Sequence, residues 1–153
     1  MPSTPAPSAD TPEDLSFLLT RAERLAARRL REALDETGCS VDGWRVLALL
    51  ADGQGHGMTA IADRMLLPPP SLTRLMDQLV DDGLVHRRVD PLDRRRVLAG
   101  LTPHGVTVQA ELAHRVRTAW TTLPTDPDDA LLATLLDRLI TRLELPAATP
   151  AVR

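Results

Sequence analysis

Along the 153-residue chain, apolar positions fall into stripes of helical period, separated by short polar or proline-bearing joints. Leu15, Leu18, Leu19, Ala22, Leu25, Ala26, Leu30, Ala33 and Leu34 share one face and predict a long first helix. Thr11 offers its capping oxygen, Pro12 suits the first helical position, Glu13 and Asp14 face the positive end of the helix dipole, and Gly38 stops it. Ser40 caps a second helix, Val41 to about Ala51. Cys39 before that cap and Trp44 four positions in have the spacing of a hydrophobic staple. Gly53 to Gly57 reads as a flexible connection, and no Gly-Lys-Ser or Gly-Lys-Thr follows to make it a phosphate loop.

A short helix is predicted from Ala60 to Met65, and after a tight connection another from Pro69 to Asp82, with Leu72, Leu75, Met76, Leu79 and Val80 as its buried face. A strand, an arginine-rich turn and a returning strand come next. Thr102 and Pro103 open a helix to about Thr121, carrying Val106, Leu112, Ala113, Val116, Ala119 and Trp120. Pro124 and Thr125 separate it from a last helix, with Asp126 as cap, Pro127, Asp128 and Asp129 in its first turn, and a broad leucine stripe ending at Pro146. This order is mainly α with a small β-wing, a winged helix-turn-helix. The free face of the Pro69 helix carries Pro70, Ser71, Thr73, Arg74, Asp77 and Gln78, short hydrogen-bonding groups of the kind that reach base edges from the start of a helix.

The segment LVDDGLVHRRVDPLDRRRVLAGLTPHG, Leu79 to Gly105, resembles the wing signature of the multiple antibiotic resistance regulator (MarR) family. There an Asp-x-Arg is followed after five residues by Leu-Thr, here Asp93, Arg95, Leu101 and Thr102. The resemblance extends back through Pro69, Pro70, Ser71, Thr73 and Arg74 to Trp44, Arg45, Val46 and Leu47, and departs at Pro68, where the family usually has a capping Ser or Thr. It implies a homodimer formed by the terminal helices, reading an inverted-repeat operator in double-stranded DNA, with the recognition helices in successive major grooves. Residues 1–10 are then a disordered tail and 11–145 one domain. Within it 11–37 and 103–145 are dimerisation helices and 40–102 the winged helix-turn-helix, with 146–153 a mobile tail.

The DNA-contact candidates are Ser71, Thr73, Arg74 and Gln78 on the helix and Arg88, Arg94, Arg95 and Arg96 on the wing. Arg74 suits bidentate pairing with guanine. Arg94 or Arg95 at the hairpin tip would, by the resemblance, enter the minor groove. Asp93, acidic beside phosphates, would hold an arginine through a charge-assisted bond. Because Arg87 and Arg88 alternate in direction, only one should face the duplex.

A net charge of −3 does not suggest a nucleic-acid binder, but the sum hides local sign. Between Arg87 and Arg96 stand five arginines against two aspartates, and every basic side chain in the protein is arginine. The single Cys39 excludes an internal disulfide and fits no cysteine metal cluster. No apolar run approaches a membrane span, and the N-terminus lacks signal-peptide features, so a soluble cytoplasmic protein without a cofactor is expected.

Relatives implied by the resemblance release DNA on binding a small aromatic acid or phenol. Arg21 and Arg24, on one helix face with Arg28, together with Trp44 are candidates for that pocket, against the plain reading of a solvated arginine stripe paired with Glu32. Three other readings compete. Cys39 could be a redox sensor in place of an apolar plug. His104 or His114 could serve a metal sensor, although their spacing puts them on different helix faces. The winged helix could bind protein and not DNA. With His56, His86, His104 and His114 scattered and no nucleophile partner in view, an enzyme is not expected.

Overall fold

The computed structural model describes residues 12–145, with the element order α1 (Pro12–Leu34), α2 (Val41–Leu50), β1 (His56–Gly57), α3 (Met58–Met65), α4 (Pro69–Asp81), β2 (Val85–Val89), β3 (Val97–Leu101), α5 (Pro103–Thr121) and α6 (Asp129–Glu144). The Thr11 cap, both tails and the Pro146 stop lie outside the described residues. After Leu34 the first helix tightens into a 3-10 turn, Asp35–Thr37, and Gly38 at φ 71° ends it in the left-handed conformation that glycine tolerates best. Ser40 caps α2 as expected, its hydroxyl accepting from Gly43 N–H at 3.0 Å.

The described chain divides at Trp120 into two compact units. In the first, the core is built from Leu30 and Leu34 of α1, Val46, Leu47 and Leu50 of α2, Ile61 of α3, Leu72, Met76 and Leu79 of α4, and Leu112 and Val116 of α5, closed by Val85 and Ala99 of the sheet. Each of these leucine, isoleucine, valine and methionine side chains contributes about 2 kcal/mol by leaving water. Arg29 Nε donates to the Ala119 carbonyl at 3.0 Å and Glu36, in the turn after α1, pairs with Arg115 at 3.7 Å, so the end of α1 and the turn beyond it meet α5 through polar contacts as well. The N-terminal part differs: Leu15, Phe17, Leu18 and Leu25 of the predicted stripe region are exposed in the single chain.

Two connections are new relative to the sequence reading. The glycine-rich joint is not wholly irregular, because His56 and Gly57 form β1, pairing antiparallel with Ala99 and Leu98 in a sheet of order β1-β3-β2. Two residues leave no periodicity to detect. The joint between α3 and α4 passes through Leu66, a non-glycine residue at φ 51° that is 88% exposed, a conformation costing a side-chain-bearing residue about 1 kcal/mol.

At its far end α4 closes with Gly83 at φ 69°. Gly83 N–H reaches the Val80 carbonyl and Leu84 N–H the Leu79 carbonyl, both at 2.9 Å, which is a Schellman motif with its Leu79–Leu84 hydrophobic partners. Thr102 then ties the start of α5 to this corner. Its hydroxyl donates to the Gly83 carbonyl at 2.6 Å and accepts from Gly105 N–H at 2.9 Å, while its own N–H donates to the Leu84 carbonyl at 3.0 Å. A Cβ on Gly105 would stand 1.9 Å from that same carbonyl oxygen, so only glycine fits there.

The second unit holds α6, which starts later than predicted. Asp126 makes the expected polar contacts one turn ahead of it, accepting from Asp128 N–H at 2.8 Å while its own N–H reaches the Asp129 carboxylate at 3.2 Å. Pro127 and Asp128 form a turn, and the helix runs from Asp129. Its Leu131, Leu132, Leu135, Leu136, Ile140 and Leu143 are exposed in the single chain.

Candidate nucleic-acid interface

Helix α4 buries Leu72, Met76 and Leu79, half-buries Leu75 and Val80, and turns Pro70, Ser71, Thr73, Arg74, Asp77 and Gln78 outward, as the periodicity required. Pro68 holds the cap position without any side-chain bond, and its carbonyl accepts from Leu72 N–H at 3.0 Å; because Pro69 and Pro70 carry no N–H, the first turn of α4 has few donors to offer a phosphate. Ser71 and Arg74 share a shallow groove with Pro70, Leu75 and Gln78. Thr73 is narrower in scope than its residue type suggests. Its hydroxyl donates to the Pro69 carbonyl at 2.9 Å, so toward a base it can only accept or offer its methyl group.

The wing takes its shape from two aspartates, each bonding the backbone two residues on. Asp90 Oδ1 accepts from Leu92 N–H at 2.9 Å, and Asp93 Oδ1 accepts from Arg95 N–H at 3.0 Å. Arg96 N–H closes the tip onto the Asp93 carbonyl at 2.9 Å, and Asp90 N–H meets the Arg96 carbonyl at 2.9 Å below it. Arg94 and Arg95 therefore occupy the two central positions of the turn, with exposed side chains.

The bond that Asp93 makes to an arginine goes to the main chain. It holds the backbone of Arg95, and the carboxylate that sits beside a guanidinium is Asp90, only 8% exposed, with Oδ2 4.0 Å from Arg96 Nη1. Sequence reasoning passed over Asp90; the repeated Asp-x-x spacing of both turns was its signal. Arg96 also leans over β1, Nη2 lying 3.6 Å from where a Gly57 Cβ would be, so it braces the base of the wing while its neighbours project.

Arg87 and Arg88 do alternate. Register places Arg87 with Ala99 on the face toward α4, where its Nη2 meets Asp77 Oδ1 at 2.8 Å. Arg88 pairs with Leu98 on the other face, its guanidinium against Gly55, and among the described residues no carboxylate forms an ion pair with it.

The remaining candidates are dispersed. On α1, Arg28 pairs with Glu32 at 3.9 Å, whereas Arg21 and Arg24 are exposed and form no ion pair among the described residues. Trp44 is half-buried against the core, and its neighbour Arg45 is shared between Asp42 at 3.5 Å and Glu23 at 3.9 Å. Cys39 packs on the core too, its Sγ 3.5 Å from the Ser40 carbonyl oxygen. Burial, and then the Asp82 carboxylate, push its thiol pKa up, opposite to what an oxidant-sensing thiolate needs. Residues 36–40 before α2, with others from α2, α4 and α5, line an open cavity of about 360 Å³ that no segment of the sequence announces.

Comparison with known proteins agrees with this architecture. The MarR family model matches residues 40–97, from the cap of α2 to the start of β3. The chain is 28% identical over 139 residues to a protein assigned as the transcriptional regulator of the hcr operon of Thauera aromatica, covering 90% of this chain and 84% of that one. To an HTH-type transcriptional regulator of Mycobacterium leprae it is 33% identical over 107 residues, covering 70% and 71%. The crystal structure of a MarR-family transcriptional regulator from Rhodococcus superposes with a TM-score of 0.74 at 29% identity, covering 90% of this chain and 97% of the other. With a Ser71–Arg74 helix face, an arginine-tipped hairpin and these relatives, the chain belongs to the MarR family of DNA-binding winged helix-turn-helix transcriptional regulators, which are not enzymes.

Proposed function

We propose that the protein acts as a cytoplasmic homodimeric repressor that reads an inverted-repeat operator and is released by a small aromatic acid or phenol. The observation that carries the DNA-reading part is one helix face, Ser71 to Gln78, standing beside a hairpin whose two central residues are Arg94 and Arg95. Arg74 would pair with a guanine in the major groove, Ser71 would donate to or accept from bases or phosphate, and Thr73 would accept. Gln78, further along α4, would touch phosphate. Arg94 or Arg95 would enter the minor groove and Arg88, which has no acidic partner among the described residues, would neutralise phosphate. Arg87, already balanced by Asp77, would set the angle between α4 and the wing.

Dimerisation is supported by the exposed apolar residues of α1 and α6, too many to leave in water. The acid ligand is supported by Arg21 and Arg24, two guanidinium groups on one face of α1 that form no ion pair among the described residues, with Trp44 as a flat apolar partner for a ring.

Operator selection from random DNA followed by anisotropy titration across salt tests the reading. Arg95→Ala should weaken binding and lower the slope of log K against log salt by about 0.9 per half-site, one phosphate-equivalent from each protomer. Arg74→Ala should relax base preference at one position per half-site by about 1–3 kcal/mol. Equal losses on operator and random DNA for Arg74→Ala would reduce that residue to a phosphate contact, and no enriched sequence at any salt would overturn the reading.

A further inference from the structure

The outer part of the hairpin carries three large apolar side chains, Val89 at the end of β2, Leu92 in the turn and Val97 at the start of β3, and all three are exposed, Leu92 to 97%. A single exposed leucine is ordinary on a protein surface, but this one is held in place by its neighbours. Pro91 fixes the backbone angle just before it, and the nearly buried carboxylate of Asp90 accepts from Leu92 N–H at 2.9 Å. The main chain is thus fixed at the very residue whose side chain stands almost wholly in water.

Val89 and Val97 are partners in register, two residues beyond the Arg87–Ala99 pair, so they lie on the side of the sheet that faces α4. Arg87 ties that side to Asp77 of α4 at 2.8 Å, and the two valines continue past the tie as an apolar strip between α4 and the hairpin tip. At the outer end stand the exposed side chains of Arg94 and Arg95. An apolar strip ending in guanidinium groups matches the backbone of a duplex, whose phosphates suit the arginines and whose deoxyribose rings offer apolar faces between them.

We propose that the wing reads DNA through an apolar contact as well as a cationic one. Leu92 lies in the minor groove beside the tip arginine, and Val89 and Val97 seat the deoxyribose rings of the strand that passes from that groove to the one occupied by α4. This rests on the DNA-reading assignment of the hairpin. In the minor groove G·C differs from A·T by the N2 amino group of guanine, a donor standing on the groove floor. Leucine has no acceptor to offer that group and needs the space it fills. Leu92 therefore selects against G·C beneath the wing, and does so without releasing counterions.

Anisotropy titration of the full chain on the selected operator tests this, with A·T, G·C or inosine·C pairs placed in the tract whose hydroxyl-radical protection Arg95→Ala weakens. Inosine lacks the N2 amino group and keeps the major-groove pattern of guanine. The parent should bind A·T and inosine·C tracts alike and the G·C tract about tenfold more weakly. Leu92→Ser should lose about five- to tenfold on the A·T tract at the parent's salt slope and shrink the G·C penalty to about twofold, while Leu92→Met keeps the parent's pattern. Val89→Thr, close in shape, should weaken all three tracts about two- to threefold, again at unchanged slope. Because Leu92 is exposed in the free protein, Leu92→Ser should keep the parent's urea midpoint, which separates a lost contact from a lost fold. A G·C penalty that persists in Leu92→Ser and vanishes in Arg95→Ala would give the selection to the arginine and the groove width it follows, and overturn the proposal. A change of oligomeric state in Leu92→Ser would do the same, by making the strip a contact between copies. Weakened binding in Arg95→Ala with none in Leu92→Ser sinks the apolar contact alone; no operator binding at any salt sinks it together with the DNA-reading assignment.

Discussion

Asp90, buried, and Cys39, half-buried, show how a single polar group is put to use by its surroundings. The Asp90 carboxylate bonds Leu92 N–H and stands beside Arg96, so it sets the pose of the hairpin without reaching DNA. Asp90→Ala should therefore weaken operator binding about five- to tenfold, the worth of one or two such bonds, while the salt slope stays that of the parent. A slope lowered as far as in Arg95→Ala would mean that a phosphate contact had gone with it. At Cys39 the raised thiol pKa has a definite sign. The unfolded chain loses its thiol proton first as pH rises, so stability contributed here is present below the ordinary thiol range and declines above it. Iodoacetamide should label Cys39 more slowly at neutral pH than a free cysteine, and Asp82→Asn should speed labelling; labelling faster than free cysteine would restore the redox reading.

Among the elements, the corner where α4 ends and α5 begins makes the most demanding test of the packing. Gly105→Ala drives a Cβ into the Leu84 carbonyl, and backbone cannot yield as a side-chain tip can. The expected loss is about 3 kcal/mol, read as a lower urea midpoint at unchanged m-value. Thr102→Val, which removes the cap and the bond to Gly83, should cost about 1–2 kcal/mol. The helices were legible in the sequence because each carries its own stripe and punctuation: Ser40, Gly38, Pro69 and Pro103 all mark real ends. The Val85–Val89 strand has no such stripe, only Val85 being buried, and was legible from the arginine-rich turn that follows it. Local pattern could not reveal β1, whose two residues are strand only because β3 lies beside them, nor Asp90, whose meaning depends on Arg96 folding back. The cavity has walls drawn from residues between Glu36 and Arg115 and exists only once three helices converge.

Over the whole molecule, the distribution of apolar surface is the feature with the largest energetic consequence. Leu15, Phe17, Leu18 and Leu25 on α1, and Leu132, Leu135, Leu136 and Ile140 on α6, would each recover part of about 2 kcal/mol if covered by a second copy. The pair Leu132→Glu and Leu136→Glu, one turn apart on α6, should convert the dimer to monomer in sedimentation at unchanged helical content. Affinity for a two-half-site operator should then fall about a hundredfold or more, with little change on an isolated half-site. Persistence of the dimer would move the interface off α6.

The pairing of His56 and Gly57 with β3 joins two tools that could otherwise have drifted apart. Since α3 follows Gly57 directly and β3 runs back from the arginine turn, the hairpin and the helical pair behave as the fixed jaws of a caliper. Under the proposed mode of DNA reading, such a protein would gauge the offset between a major groove and its neighbouring minor groove instead of moulding itself to either. One base pair inserted between the two contacted tracts should then abolish recognition even where every contacted base is kept.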